Sequence, residues 1–462
     1  MMLRVAWRSL MTRPIRAAVL AAGFGFGIAV MVALLGVGQV ILEQSHAPAL
    51  QGGGDLVVSG PFGQLPNARF VLSTVQRAPE IADRISALSV TRRARLYLIT
   101  AKKTIKMTAT GGVPSLEKSI GDREVSDVAA WTDAPGDQRW ARPDTGDVLR
   151  AMDRFHPIPE SHTPSSSWAE WLYFNGRTRD GRVRLYLTFF VGPPADTPGM
   201  RQAGVRLQLD RDGRSTNYSS GGLVDEASML AHAPDLEIGR SRVRLEGSTY
   251  RIGLALPGLE GAITLDGAAQ RSMPPATIRG AGGWISGYVV PVLSGTMRGD
   301  LRVGGDRLMF DDAAGYHDHN WGFWEGVRWQ WGQVAHDDLS IVYGRVFPPA
   351  EVADQSRIPG FLAVLGRDGL LGFSTNVAID DTIEGRVDVH ATRGLDLRLT
   401  LSSEETVRSA MTLTRVAGAS PLNFLQLSGV FQVKGTVAGR AIDFAARGSA
   451  ETFRPPSRSA PR

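Results

Sequence analysis

Tyr316-His317-Asp318-His319-Asn320-Trp321-Gly322, followed closely by Trp329-Gln330-Trp331-Gly332, sets ionisable groups among indoles more densely than any other stretch of the chain. Polar groups are costly to bury unless each finds a partner, so the segment marks either a fully hydrogen-bonded core or a reactive site. In an extended chain alternate side chains share a face. Tyr316, Asp318 and Asn320 then point one way, and His317, His319 and Trp321 the other. Trp329 and Trp331 share a face of the next strand, and Tyr343 follows on the strand after it.

The surroundings of this stretch read as β structure. From Trp168 onward, short period-two segments recur, including Val183–Val191, Val205–Leu209, Tyr250–Leu256 and Trp284–Val290, and a second series runs from Val327 to Ala446. Asp-Gly pairs at 180, 212, 266 and 368 punctuate them as hairpin turns would. Hardly any segment offers a capped amphipathic helix. Many strands joined by short turns imply antiparallel barrels, and the run is long enough for two, placed at 168–305 and 306–453. Residues 126–167, rich in Pro, Ser, Asp and Gly, read as a linker, and 454–462 as a disordered tail.

Two motifs carry a family resemblance. Glu170-Trp171-Leu172-Tyr173-Phe174-Asn175-Gly176, with the alternating Arg184–Phe190, and the His-Asp-His-Asn-Trp stretch together resemble the signatures of the AttH-like, lipocalin-type family that includes carotenoid 1,2-hydratases. Leu172 stands where a second Trp is usual. The resemblance covers about residues 155–456 and implies two lipocalin-like β-barrel domains. It also implies a hydrophobic, isoprenoid-like or lipid ligand, and an association with ABC export systems. In a hydratase-like reaction an acid protonates an alkene, indole faces stabilise the cation, and water adds. His319 would be the acid, Asp318 its orienting partner or the acid itself, with His317 and Tyr343 beside them. Trp321, Trp329, Trp331, Trp171, Tyr173 and Tyr316 would line the ligand site. Tyr343-Gly344-Arg345 carries no carboxylate where a hydratase would be expected to offer one, so binding without turnover stays open, as does a structural adaptor.

Other readings of the same residues are possible. The imidazoles can simply pin barrels together by donating to carbonyls. His317 and His319 also have the spacing of metal ligands on one strand, with His336 or Asp337 to complete a set, but no third ligand has a diagnostic spacing. No metal or cofactor is expected.

At the other end of the 462-residue chain, Ala17–Leu42 contains no charged residue. The run exceeds the ~20 residues that cross a bilayer as a helix, and it is longer than a signal-peptide core. Arg4, Arg8, Arg13 and Arg16 flank its N-terminal side, so the expected topology is a single-pass anchor in the inner membrane. Residues 1–16 would be cytoplasmic and the body extracytoplasmic. Leu3–Leu10 and Thr12–Arg16 resemble the start of MacB-type ABC transporter permeases, and 43–125 are expected to continue that segment. Without these four arginines the basic and acidic residues nearly cancel, 47 against 46, which gives no footprint for nucleic acid. The absence of cysteine excludes disulfides, thiolate nucleophiles and Cys-ligated zinc.

Overall fold

The computed structural model describes residues 15, 56–59, 65, 67–78, 81–100, 102–121, 128–141, 143–411 and 422–454. The expected span at 17–42 and the tail beyond 454 lie outside them. No helix among the described residues is long and apolar enough to cross a membrane.

The chain divides into two units. The first holds a hairpin of β1 (Thr91–Ile99) and β2 (Thr104–Gly112) and a short helix, Pro114–Ser119, whose Glu117 accepts hydrogen bonds from Ser89 and Thr91.

The second unit is almost entirely antiparallel sheet. Its first barrel comprises β3 (Trp168–Arg177), β4 (Val183–Pro194), β5 (Met200–Arg211), β6 (Arg214–Asp225), β7 (Leu236–Ile238), β8 (Ser241–Glu246), β9 (Thr249–Leu256), β10 (Leu259–Asp266), β11 (Met273–Arg279), β12 (Ile285–Val303) and β13 (Asp306–Phe323). Hydrogen bonding runs β6-β5-β4-β3-β13-β12-β10-β9-β8-β7, β11 pairs along the first half of β12, and β6 comes back against β7. The second barrel is built from β14 (Arg328–His336), β15 (Leu339–Phe347), β16 (Phe361–Gly366), β17 (Gly369–Ser374), β18 (Asn376–Asp380), β19 (Arg386–Thr392), β20 (Leu395–Met411), β21 (Leu422–Val437) and β22 (Arg440–Arg454). Its order is β17-β16-β15-β14-β22-β21-β20-β19-β18. Each barrel encloses its own apolar core, and a third cluster, with Tyr173, Tyr186, Tyr316 and Trp331, fills ground between them. The expected architecture of two lipocalin-like antiparallel barrels is the one observed.

Three of the four Asp-Gly pairs turn hairpins. Asp212-Gly213, with φ of 49° and 77°, joins β5 to β6 as a tight two-residue turn needs. Asp266-Gly267 instead closes β10 and leads into β11 without a hairpin.

Two boundaries differ from the sequence reading. β13 was expected to open the second domain at 306, yet it pairs with β12 on one side and β3 on the other and so belongs to the first barrel, which runs to Phe323. The turn that joins it to β12 is only Gly304-Gly305, too short to carry a domain boundary. Within the stretch read as a linker, Thr145–Met152 is helical. Asp144 caps it by accepting from the Asp147 N–H at 2.6 Å, and Val148, Leu149 and Met152 are buried in the first barrel's core. An eight-residue helix is too short for its apolar stripe to stand out from a Pro- and Asp-rich background.

If this helix is part of the barrel core, Leu149→Ala should destabilise the protein by about 2–5 kcal/mol in a urea titration, as truncation of a buried leucine does. An unchanged midpoint would mean that the helix is not docked.

Candidate functional site

The register of β13 decides where its side chains go. Opposite residues of an antiparallel pair share a face. His317 lies opposite Phe174, His319 opposite Leu172 and Trp321 opposite Glu170, all directed into the first barrel; Asp318 opposite Tyr173 and Asn320 opposite Trp171 face outward, towards the second barrel. The alternation expected from the sequence is present, and each face carries its own ionisable cluster.

On the inner face the two imidazoles are fully buried. His319 bonds through Nδ1 to Asp153 Oδ1 at 2.6 Å and through Nε2 to Glu170 Oε1 at 2.9 Å. His317 donates from Nδ1 to the Tyr173 carbonyl at 2.9 Å, and its Nε2 lies 3.0 Å from Asp153 Oδ2. That oxygen also accepts the Tyr250 hydroxyl at 2.8 Å. Glu170 accepts in addition from the ring Nδ1 of His156 at 2.8 Å, and this ring stacks on Trp321 at 4.1 Å. Burial alone would raise both carboxyls, but the charge and hydrogen bonds of the imidazoles outweigh it and hold Asp153 and Glu170 below their usual range. Burial alone would likewise lower His319, yet its two carboxylate partners push it up to about 9. The result is a charged, internally satisfied lattice that ties the 153–156 segment to β3, β9 and β13.

Donor atoms of His156, Glu170 and His319 lie within 4.8 Å of one another and are the set among the described residues that could hold a metal ion. Their mutual distances of 2.8 and 2.9 Å are hydrogen-bond distances about a shared carboxylate oxygen. His336 and Asp337, weighed as partners for a metal, sit on the β14–β15 turn of the second barrel.

On the outer face, a pocket of about 680 Å³ lies between the barrels. The first barrel supplies Trp171, Tyr173, Tyr288, Asp318 and Asn320 to its wall, and Trp324 follows directly after β13. The second barrel supplies Trp329, Trp331, Phe361, Phe424 and Glu451. A hydrogen-bond chain runs from Trp331 Nε1 to the Tyr288 hydroxyl at 3.0 Å, then to the Tyr316 hydroxyl at 2.8 Å and to Asp318 Oδ2 at 2.8 Å. Asn320 donates to the other Asp318 oxygen at 2.9 Å. Here burial prevails. It pushes Asp318 well above the carboxylate range, the nearby Glu451 charge pushes the same way, and the Tyr316 hydrogen bond only opposes it. Glu451, bonded by Trp329 Nε1 at 2.9 Å, is pushed by burial up to about 7. The pocket therefore presents two carboxyl groups inclined to hold protons among indole and phenol rings.

The residues singled out in the sequence thus separate. Asp318, Trp171, Tyr173, Trp329 and Trp331 meet at the pocket, with Tyr316 bonded behind Asp318. His317, His319 and Trp321 lie inside the first barrel, outside the pocket wall. Tyr343 points into the second barrel's core beside Phe431, while Gly344, Arg345 and Val346 after it reach the pocket. Sequence reasoning missed Glu451, Tyr288 and Trp324 at the pocket, and Asp153 and His156 in the lattice. Glu451 could have been found, because β22 alternates; Asp153 has no local signal.

Fold and site together define a lipocalin-like two-barrel protein with an aromatic, doubly acidic pocket between the barrels. No family model and no curated protein matches the sequence. Among solved structures the chain is similar to a candidate AttH protein from Nitrosomonas europaea, at 15% identity and a TM-score of 0.43, covering 65% of this chain and 97% of that one. It is also similar to CghA in complex with Sch210972, at 12% and 0.47, covering 66% and 94%. Kievitone hydratase from Nectria haematococca gives 15% and 0.41, covering 66% and 95%. The resemblance of the N-terminal segment to permeases finds no support among them.

Two pH limits follow from the lattice. The contribution of Asp153, whose pKa is lowered on folding, is present above its unfolded value of 3.8 and lost as pH falls. That of His319 is present below 6.5 and lost as pH rises through about 9. Thermal melts should therefore weaken towards both extremes. Asp153→Ala should cost about 3–5 kcal/mol at neutral pH, since it strands a buried imidazolium. A variant as stable as the parent would show that the lattice does not hold the barrel.

Proposed function

We propose that the inter-barrel pocket takes up a hydrophobic, unsaturated molecule and acts on it by acid–base chemistry, with Asp318 as the proton donor. One observation carries this reading: two carboxyl groups, Asp318 and Glu451, have their pKa raised by burial at a cavity of about 680 Å³ walled by tryptophan and tyrosine. A carboxylic acid that remains protonated near neutral pH can protonate an alkene, and the adjoining aromatic faces can stabilise the cation by roughly 0.5–2 kcal/mol each. Both oxygens of Asp318 already accept hydrogen bonds, from Tyr316 and Asn320, which leaves its own proton for the ligand. Water adding to the cation would release its proton to the Asp318 carboxylate left by the first step, a hydration. Loss of a neighbouring proton instead would give an isomerisation. The acid is thus assigned to the outer face of β13, in place of His319, and Trp171, Trp329 and Trp331 take the role considered for Trp321.

The apolar, uncharged run at 17–42 with its arginine-rich flank supports a single-pass anchor and an extracytoplasmic body. Such a body would meet hydrophobic molecules at the membrane surface, where an export system is a fitting partner. A reporter fused after Arg462 and active only in the cytoplasm would sink this placement.

The pocket is tested by titrating the full chain with parinaric acid, a conjugated polyene fatty acid. Tryptophan emission should be quenched, Trp329→Ala should weaken binding, and Trp321→Phe, which alters the barrel interior, should leave the quench intact. Equal responses in both variants would remove the pocket from consideration.

Glu451 adds a pH signature. Its raised pKa gives a contribution to stability that is full below the unfolded value of 4.5 and lost as pH rises through about 7. Glu451→Gln should flatten the pH dependence of the melting temperature across that window. A parent protein with no such slope would contradict the protonated pocket.

A further inference from the structure

Beside the aromatic pocket, and sharing Tyr186 with it, lies a smaller cleft of about 60 Å³ between the barrels. Its chemistry is the opposite of its neighbour's. Arg177 and Arg184 from the first barrel and Arg447 from the second all line it, and no Asp or Glu does. Two of the three cations are matched from outside the cleft: Arg184 pairs with Glu405 at 3.0 Å and donates to Ser428, and Arg447 pairs with Glu404. Arg177 is half-buried and makes no side-chain hydrogen bond or ion pair of its own among the described residues. Burial, then the charges of Arg447 and Arg184, push its pKa down.

A second, independent observation sits on the same strand. Asn175 is only 8% exposed and lines the cleft; its Nδ2 lies near the Tyr173 hydroxyl but has no hydrogen-bond partner. A buried amide donor without an acceptor is uncommon and calls for a missing partner. The Ser428 hydroxyl, which accepts from Arg184, keeps its own proton to donate, and Ser449 adds another hydroxyl. Donors thus converge from both barrels with no carboxylate in the lining to receive them; Arg184 and Ser449 meet the neutral Tyr186 hydroxyl there.

We propose that this cleft binds a small oxyanion of the phosphate class, with Arg177 as its principal ligand and Asn175, Ser428 and Ser449 as neutral donors. A dianionic tetrahedral group suits three guanidinium groups and several neutral donors, whereas a carboxylate is satisfied by a single bidentate arginine. The anion is either free phosphate or the phosphoryl head of an amphiphile whose chain enters the adjoining pocket. The site itself does not depend on the acid–base reading of that pocket.

Thermal melts of the full chain at constant ionic strength test this. Inorganic phosphate, but not chloride, should raise the melting temperature saturably. Arg177→Gln should weaken the phosphate effect by about tenfold or more, as loss of a charge-assisted contact does. Asn175→Asp supplies an internal carboxylate; it should melt higher than the parent without phosphate and gain little from adding it. Dodecyl phosphate separates the sources. Saturation far below the inorganic phosphate range, with quenching of the pocket tryptophans, identifies a head-group site, while equal potency and no quenching identifies a site for the free anion. The proposal is overturned if phosphate acts no better than chloride on the parent, if Arg177→Gln responds like the parent, or if Asn175→Asp melts lower than the parent.

Discussion

The buried ion lattice of Asp153, His317, His319 and Glu170 is the constraint on which the rest of the first barrel depends. Two carboxylates and two imidazoles with no exposure to solvent would be ruinous singly. They are tolerable only because nearly every lone pair and proton is matched at 2.6–3.0 Å. Meeting those distances fixes the register of β13 against β3 and the path of the 153–156 segment across the barrel interior. It fixes the outer face too, because a strand whose inner side chains are locked has no freedom left for its outer ones.

The two faces of β13 treat carboxyl groups in opposite ways, and the difference lies in their neighbours. Asp153 and Glu170 are surrounded by imidazole donors, and the resulting attraction exceeds the cost of burial. Asp318 is buried and Glu451 half-buried, but they receive only neutral donors from Tyr316, Asn320 and Trp329, which soften the desolvation without overcoming it. One lattice is charged and rigid; the other is near-neutral and open to a cavity. The charged lattice and the near-neutral pocket are thereby separated across the thickness of a single strand.

Much of this was legible in the sequence. Period-two alternation and Asp-Gly turns led to the all-β architecture, and alternation alone divided Tyr316, Asp318 and Asn320 from His317, His319 and Trp321. The tryptophans at 171, 329 and 331 stood out because indoles at alternate positions beside ionisable groups are rare in a strand that faces only solvent. The boundary at 306 failed because the tightest turn in that region, Gly304-Gly305, joins two strands of one barrel and looks in sequence like any other punctuation. The helix Thr145–Met152 was hidden in a stretch whose composition resembles a linker.

The sequence by itself determined the periodicity of the strands, the sorting of side chains onto two faces, the absence of thiol chemistry, and an apolar run long enough to cross a membrane. Which face of β13 looks into a barrel and which looks onto a pocket was decided only by the tertiary structure. That choice depends on partners far away in the chain: Asp153, 166 residues before His319, which holds its imidazole, and Glu451, contributed to the pocket by the last strand of the other barrel. Local pattern can say that two side chains share a face. It cannot say what lies opposite, and the environment opposite is what makes one carboxyl an ion and another an acid.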